Sequence, residues 1–128
     1  MLRTGILNPH VLDLVARIRH TNTLVIADRG FPFWPQIETV DLSLVDDVPT
    51  VLQVFDALAA NFVIGRVWTA REFKTHNSPA RLAALQKCAG DRLVFEPHVA
   101  FKKRVPSAIG LIRTGDTIPY ANLILESA

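Results

Sequence analysis

The chain has 128 residues, 49% of them hydrophobic and 20% charged, and its mean hydropathy is positive. That is the length of one domain with one core and too apolar for a disordered chain, so residues 1–128 are read as a single unit. Fourteen Lys and Arg stand against twelve Asp and Glu, spread with no basic block interleaved with aromatics, which argues against a nucleic-acid partner.

The first twenty residues carry Arg3, Asp13, Arg17 and Arg19 among the apolar positions, which fits neither a signal-peptide core nor a membrane span. Cys88 is the sole cysteine, so an intrachain disulfide and a cysteine-clustered zinc site are excluded and a reducing cytoplasm is the expected location. A chain this small and this apolar is expected to bury part of its surface against other subunits.

Asn8-Pro9 is a helix start, a capping side chain followed by proline at the first helical position, and Val11, Leu14, Val15 and Ile18 repeat at helical spacing, predicting a helix that ends near His20. Thr23-Leu-Val-Ile-Ala27 reads as a buried strand that stops at the turn Asp28-Arg29-Gly30. The segment from Phe31 to Pro35 holds three large aromatics and two prolines and is a constrained loop that plugs a core edge or lines a pocket. Pro49 opens a second helical pattern through Leu58, and Phe62–Trp68 is the next strand. A helix follows from about Ala80 to Cys88, ended by Gly90, then a strand at Leu93–Phe95. Pro97 begins a short helix through His98, Phe101 and Lys102 that Pro106 closes; its run Lys102-Lys103-Arg104 reads as a solvated face. Strands at 108–112 and 122–125 finish the chain. Helices alternating with strands give an α/β fold, a central sheet flanked by helices.

No phosphate loop, dinucleotide glycine fingerprint, H-E-x-x-H or G-x-S-x-G elbow is present, which leaves cofactor-free chemistry or simple binding. His20 follows a helix and Asp28 ends the next strand, so helix end and strand end can bring an imidazole and a carboxylate to one rim; equally, His20 can complement a helix dipole and Asp28 can make a turn. His98 and Lys102 are spaced i, i+4 on one helix face, suited to sugar hydroxyls or to plain solvent exposure. Tyr120 and Asn122 lie two apart, so an extended backbone would point both into one pocket; the alternative is a turn whose polar groups satisfy backbone.

In order and spacing these pieces resemble the ribose pyranase and fucose mutarotase family (RbsD/FucU). The matching residues are Gly5-x-Leu7-Asn8, His20-Thr-Asn-Thr23 running into Leu-Val-Ile-Ala-Asp28, Gly30-x-Pro32, Pro49, Glu72-Phe-Lys74 with Asn77, His98-x-x-Phe101-Lys102, Arg113-Thr-Gly-Asp116 and Pro119-Tyr-Ala-Asn122. The resemblance implies an α/β domain that assembles into rings, commonly decamers, with sites near subunit boundaries. It implies that His20 is a proton donor, that Asp28, His98, Tyr120 and Asn122 contact a monosaccharide, and that Lys102 is a further binding candidate. Three features depart from the pattern, the first being Asn22 in place of an acidic residue. Arg29 stands beside Asp28, where it could pair with the carboxylate and hold it ionised, and Phe33-Trp34 offers a tryptophan face for a sugar ring.

Opening a cyclic hemiacetal requires a proton to leave the anomeric hydroxyl and another to reach the ring oxygen, a task for imidazole that calls for neither metal nor redox cofactor. The sequence therefore predicts an isomerase that interconverts cyclic forms of a free aldose, ribose-type pyranose–furanose exchange first. The alternatives are a fucose-type anomer mutarotase, a sugar-binding or regulatory module without efficient turnover, and a structural ring protein, which scattered candidate side chains would favour.

Overall fold

Three of the five α-helices in the computed structural model, which describes residues 1–128, begin at caps that the sequence announces. Asn8 accepts the N–H groups of His10 and Val11, both at 3.0 Å, with Pro9 at the first helical position. Thr50 and Gln53 form a reciprocal capping box, and Ser78 accepts from the Arg81 N–H ahead of a helix that starts at Pro79. Each satisfies donors that a helix end leaves unpaired. The elements run α1 (Pro9–Ala16), β1 (Thr23–Ala27), β2 (Glu38–Asp41), α2 (Val51–Ala59), β3 (Ile64–Ala70), α3 (Glu72–His76), α4 (Pro79–Ala89), β4 (Leu93–Glu96), α5 (His98–Arg104), β5 (Gly110–Arg113) and β6 (Leu123–Ser127), with 3-10 turns at Gly90–Arg92 and Val105–Ser107.

The predicted alternation of helix and strand is present, with three differences. The first helix stops at Ala16, four residues before His20, because the N–H groups of Arg17 and Ile18 tighten onto Leu14 and Val15, and the chain then turns at Thr21 with φ of 66°. β2 and α3 are additional; both are too short to show a period, and β2 is held by pairing with a strand some seventy residues later. The run Lys102-Lys103-Arg104 is only partly a solvated face, since Arg104 pairs with Glu96 and lies over the Trp68 ring at 4.4 Å.

The sheet has six strands in the order β2-β5-β1-β6-β3-β4. β5 runs parallel to both β1 and β2, β3 runs parallel to β4, and β6 alone is antiparallel, inserted between β1 and β3. Central strands are buried on both faces: Leu24 to Ala27 of β1 and Leu123 to Leu125 of β6 are all fully buried. Their alternation divides two cores. Leu24, Ile26, Leu123 and Leu125 pack with Val11 and Leu14 of α1, Phe55 and Leu58 of α2 and Leu85 of α4. Val25, Ala27 and Ile124 pack on the other face with Phe31, Trp68, Phe101 and Val105. Truncating Phe101, fully buried between α5 and the sheet, to alanine is expected to cost about 3–5 kcal/mol in a denaturation experiment.

This topology decides where a site can form. Five strands point their carboxyl ends to one edge of the sheet, and antiparallel β6 begins there. The segments after β1, β3, β4 and β5, and the one before β6, therefore meet at that edge, where open α/β sheets place ligands. Residues that precede β1 lie at the opposite edge. No helix is long and apolar enough to cross a membrane.

Candidate active site

At the carboxyl edge, Asp28, Phe31, Pro32, His98, Tyr120 and Asn122 line an open cleft of about 310 Å³. Four of the six side chains singled out from the sequence thus meet in one place. Other depressions on the surface are as large; the one between α5 and the sheet, about 540 Å³, is lined by Arg66, Glu96, Arg104 and Glu126, and its Arg104 and Glu96 already satisfy one another.

Asp28 and Asn122 form the floor. They are 94 residues apart in sequence, yet the Asp28 N–H donates to Asn122 Oδ1 at 2.7 Å, because β1 and β6 pair with Ile26 opposite Leu123. Asp28 Oδ1 accepts the Gly30 N–H at 2.9 Å, an Asx turn that aims the carboxyl into the cleft mouth. Burial lifts this carboxyl above its ordinary range; the N–H groups of Gly30 and Phe31 and the Asn122 amide oppose the shift, and the charge of Asp116 adds to it. A buried carboxyl of this kind gains from hydrogen-bond donors that replace the water it has lost.

His98 and Tyr120 form the wall. The His98 ring meets the Tyr120 ring edge-on, with centroids 5.0 Å apart at 85°, and also contacts Phe31 and Phe101 at 6.2 and 6.0 Å. Its Nε2 is buried and has no partner in the protein, an unmet hydrogen bond of the kind a ligand fills. Desolvation lowers the His98 pKa, as does the positive charge of Lys102, while Glu72 and Asp28 push the other way. A neutral imidazole with one free nitrogen can accept or donate a proton at pH 7. Tyr120 reaches the cleft from a left-handed turn, with φ of 57°, and β6 starts only at Leu123. It shares the pocket with Asn122, but through a turn rather than through the strand alternation that the sequence suggested.

The structure corrects three other expectations. His20 and Asp28 do not share a rim: His20 precedes β1 and is exposed, next to Thr21, whose N–H bonds to Ser127 at the far end of β6. The five residues of β1 alone separate the two ends by about 16 Å at ~3.3 Å per residue. Arg29 does not hold Asp28 ionised, for it turns outward to Asp46 at 2.7 Å. Trp34 does not line the cleft; it packs on Phe31 with rings 6.0 Å apart, while Phe33 beside it is exposed. Lys102 is half-buried on α5 and acts on the cleft through its charge on His98.

Some supports were not singled out from the sequence as site residues. Arg113 donates to the carbonyls of Asp28, Arg29 and Pro32, three bonds that fix the loop carrying the carboxylate. Thr114 closes the end of β1 by donating to the Ala27 carbonyl at 2.8 Å. Buried Asp116 ties the turn after β5 to the start of α2 through the Val51 N–H at 2.9 Å. Gly115 between them has no room for a side chain, since an added Cβ would stand 2.3 Å from the Val45 carbonyl. The motif Arg113-Thr-Gly-Asp116 was visible; that its task is to hold residues 28–32 depends on the parallel register of β1 and β5. No group of three or more His, Cys, Asp or Glu side chains gathers in a way that could hold a metal ion.

Known proteins share this sequence pattern and this fold. The chain is 38% identical over 128 residues to a D-ribose pyranase from Bacillus licheniformis, covering 99% of this chain and 97% of the relative. Its fold superimposes on that of Bacillus subtilis RbsD complexed with D-ribose with a TM-score of 0.92 and 32% identity, over 100% of this chain and 98% of the other. A fucose mutarotase from Streptococcus pneumoniae, solved with L-fucose, shares the fold with a TM-score of 0.79 at 16% identity, covering 94% of this chain and 92% of that one. The model of the RbsD / FucU transport protein family matches residues 1–128. With likeness running end to end in both sequence and fold, the chain belongs to the RbsD/FucU family.

Proposed function

We propose that this protein is a cofactor-independent isomerase that speeds the interconversion of cyclic forms of a free aldose, with ribose and its pyranose–furanose exchange as the favoured case. The observation that carries the reading is the meeting of Asp28, His98, Tyr120 and Asn122 around one cleft, with an unpartnered imidazole nitrogen in its wall. A scatter of these residues would have favoured a purely structural protein. The 38% and 32% identities to a D-ribose pyranase and to RbsD complexed with D-ribose favour ribose over fucose, for which the likeness at 16% speaks of fold alone.

In this reading Asp28 accepts hydroxyl hydrogens and orients the ring, Tyr120 and Asn122 supply further polar contacts, and His98 Nε2 bonds to a hydroxyl or to the ring oxygen. Burial, assisted by the charge of Lys102, favours the neutral His98 ring. The exchange needs a proton taken from the anomeric hydroxyl and one given to the ring oxygen; the C–O bond to the ring breaks, the aldehyde forms, and another hydroxyl or face closes it again. Positioned acid–base groups of this kind contribute about 10²–10⁴-fold. His20 is the proposed proton donor, and because its own cleft lies at the other end of β1, it serves the cleft of a second copy of the chain. The site is then shared between subunits of a ring, possessing both halves only when assembled, and the enzyme works in the cytoplasm. The exposed Phe33 and Val99, from the loop and helix that bear the cleft's Phe31 and His98, are apolar surface suited to that contact.

The test is saturation-transfer proton NMR of anomeric signals with ribose, fucose and a panel of aldoses. Faster ribose exchange that disappears in a His98→Gln variant supports the reading. A folded, assembled protein that accelerates no aldose refutes it.

A further inference from the structure

α3 is a five-residue helix, Glu72–His76, and none of its side chains lines the cleft. Nevertheless three successive functional groups of this segment hold the cleft wall. Both carboxylate oxygens of Glu72 accept the His98 N–H, at 3.0 and 3.1 Å, anchoring the first residue of α5 and with it the imidazole. His76 Nδ1 lies 2.9 Å from the Glu72 carbonyl and 2.9 Å from the Thr75 hydroxyl, two contacts within its own helical turn that hold the plane of the ring.

That plane faces Tyr120. The His76 and Tyr120 centroids are 4.8 Å apart at 50°, so the phenol ring is in contact with two imidazoles, His76 and His98. Asn77 completes the hold: its Nδ2 donates to the Pro119 carbonyl at 2.8 Å and to the Phe73 carbonyl at 3.1 Å, while its Oδ1 accepts from Arg81 at 3.2 Å. Tyr120 needs such support. A tyrosine at positive φ is disfavoured and persists where the surroundings over-determine it, and the Asn77 bond fixes the residue immediately before it.

We propose that Glu72, His76 and Asn77 together form the positioning element of the sugar site, Glu72 setting His98 while His76 and Asn77 set Tyr120. The inference rests on the cleft being the aldose site and adds three residues to it that touch no substrate. It also explains why Glu72-Phe-Lys74 with Asn77 stands out in the sequence although its side chains do not line the cleft. Phe73 is buried in the core and Lys74 lies on the Phe95 ring at 3.9 Å, so the residues between the three clamps serve packing.

The experiment uses the assembled protein and two readouts: ribose exchange by saturation transfer, resolved into KM and kcat, and the titration of the His98 ring by NMR. The charged groups acting on that ring are Lys102, Glu72 and Asp28, and its ring neighbours are Phe31, Phe101 and Tyr120. Glu72→Gln keeps the shape and removes one charge; His98 should titrate lower and kcat should fall about 10-fold. Asn77→Ala should raise KM about 5–10-fold with a smaller effect on kcat. His76→Ala should do the same, and His76→Phe, which keeps a ring against Tyr120, should restore most of it. Lys74→Ala should match wild type. Wild-type values of KM, kcat and His98 titration in folded Glu72→Gln, Asn77→Ala and His76→Ala would overturn the proposal. Should Glu72→Gln fail to fold, the contrast between His76→Ala and His76→Phe decides. A wild-type protein with no aldose exchange would refute the enzymatic reading, while the His98 titration would still report whether Glu72 holds the ring.

Discussion

The two ends of β1 are built in opposite ways. At its carboxyl end Asp28 is held by Asn122, Gly30 and Arg113, and the next strand's Thr114 caps Ala27. At its amino end His20 is exposed, and its backbone carbonyl accepts only the neighbouring Thr21 hydroxyl. One end is tied down by hydrogen bonds beside the cleft wall that holds the unpartnered His98 Nε2, and the other presents an exposed imidazole on a turn. A cleft that must bind a sugar without rearranging needs the first, since preorganised groups need no ordering on binding. A group that must move a proton into a neighbour's cleft is served by the second. The comparison teaches that a single chain holds both halves of the proposed chemistry but cannot bring them together.

The largest effect expected from breaking this division is at the exposed end. His20→Ala should lower ribose exchange by about 10²–10⁴-fold while sugar binding, measured by titration calorimetry, and the melting temperature stay near wild type, because an exposed side chain holds nothing in place. Asn122→Ala, at the rigid end, should act on stability as well as on activity. It strips a buried acceptor from the Asp28 N–H and is expected to cost about 1–3 kcal/mol in urea denaturation and to weaken sugar binding.

A smaller effect should follow pH. The folded protein holds His98 below its ordinary value of 6.5, so the unfolded chain binds the proton more readily. The stability this gives is present above the unfolded pKa and is lost as pH falls from about 6.5 towards the lower folded value. His98→Gln should flatten that acid limb. Smallest of all, Arg29→Ala should leave exchange unchanged and stability within about 0.5 kcal/mol of wild type, since its partner is the exposed Asp46. A large loss of exchange would show instead that Arg29 acts on Asp28.

What could be read from the sequence follows the range of the forces involved. Asn8-Pro9, Thr50 and Ser78-Pro79 announce helices because capping is local, and Thr23 to Ala27 announce a strand because a short apolar run rich in β-branched residues and ended by a turn suits a buried strand. β2 carries Thr39 and Val40 between acidic residues, and its place at the sheet edge is set by β5, which no local window contains. Asp28, His98, Tyr120 and Asn122 were legible as a set through resemblance in order and spacing, and their convergence required the register that puts Ile26 opposite Leu123. The expected meeting of His20 with Asp28 failed for a geometric reason: eight residues can fold back if they form a turn, but five of these are an extended strand. The clamp at Glu72, His76 and Asn77 was hidden because its bonds reach across the fold to residues 98 and 119.

The shared site is tested most directly by mixing two inactive variants, His20→Ala, which keeps the cleft, and His98→Gln, which keeps the donor, then dissociating and reassembling them together. If a cleft and its donor come from different copies, random assembly of equal amounts should restore about a quarter of wild-type exchange, with neither variant active alone. A mixture that assembles yet shows no recovery would contradict the account and place His20 either in its own chain's cleft or outside the chemistry.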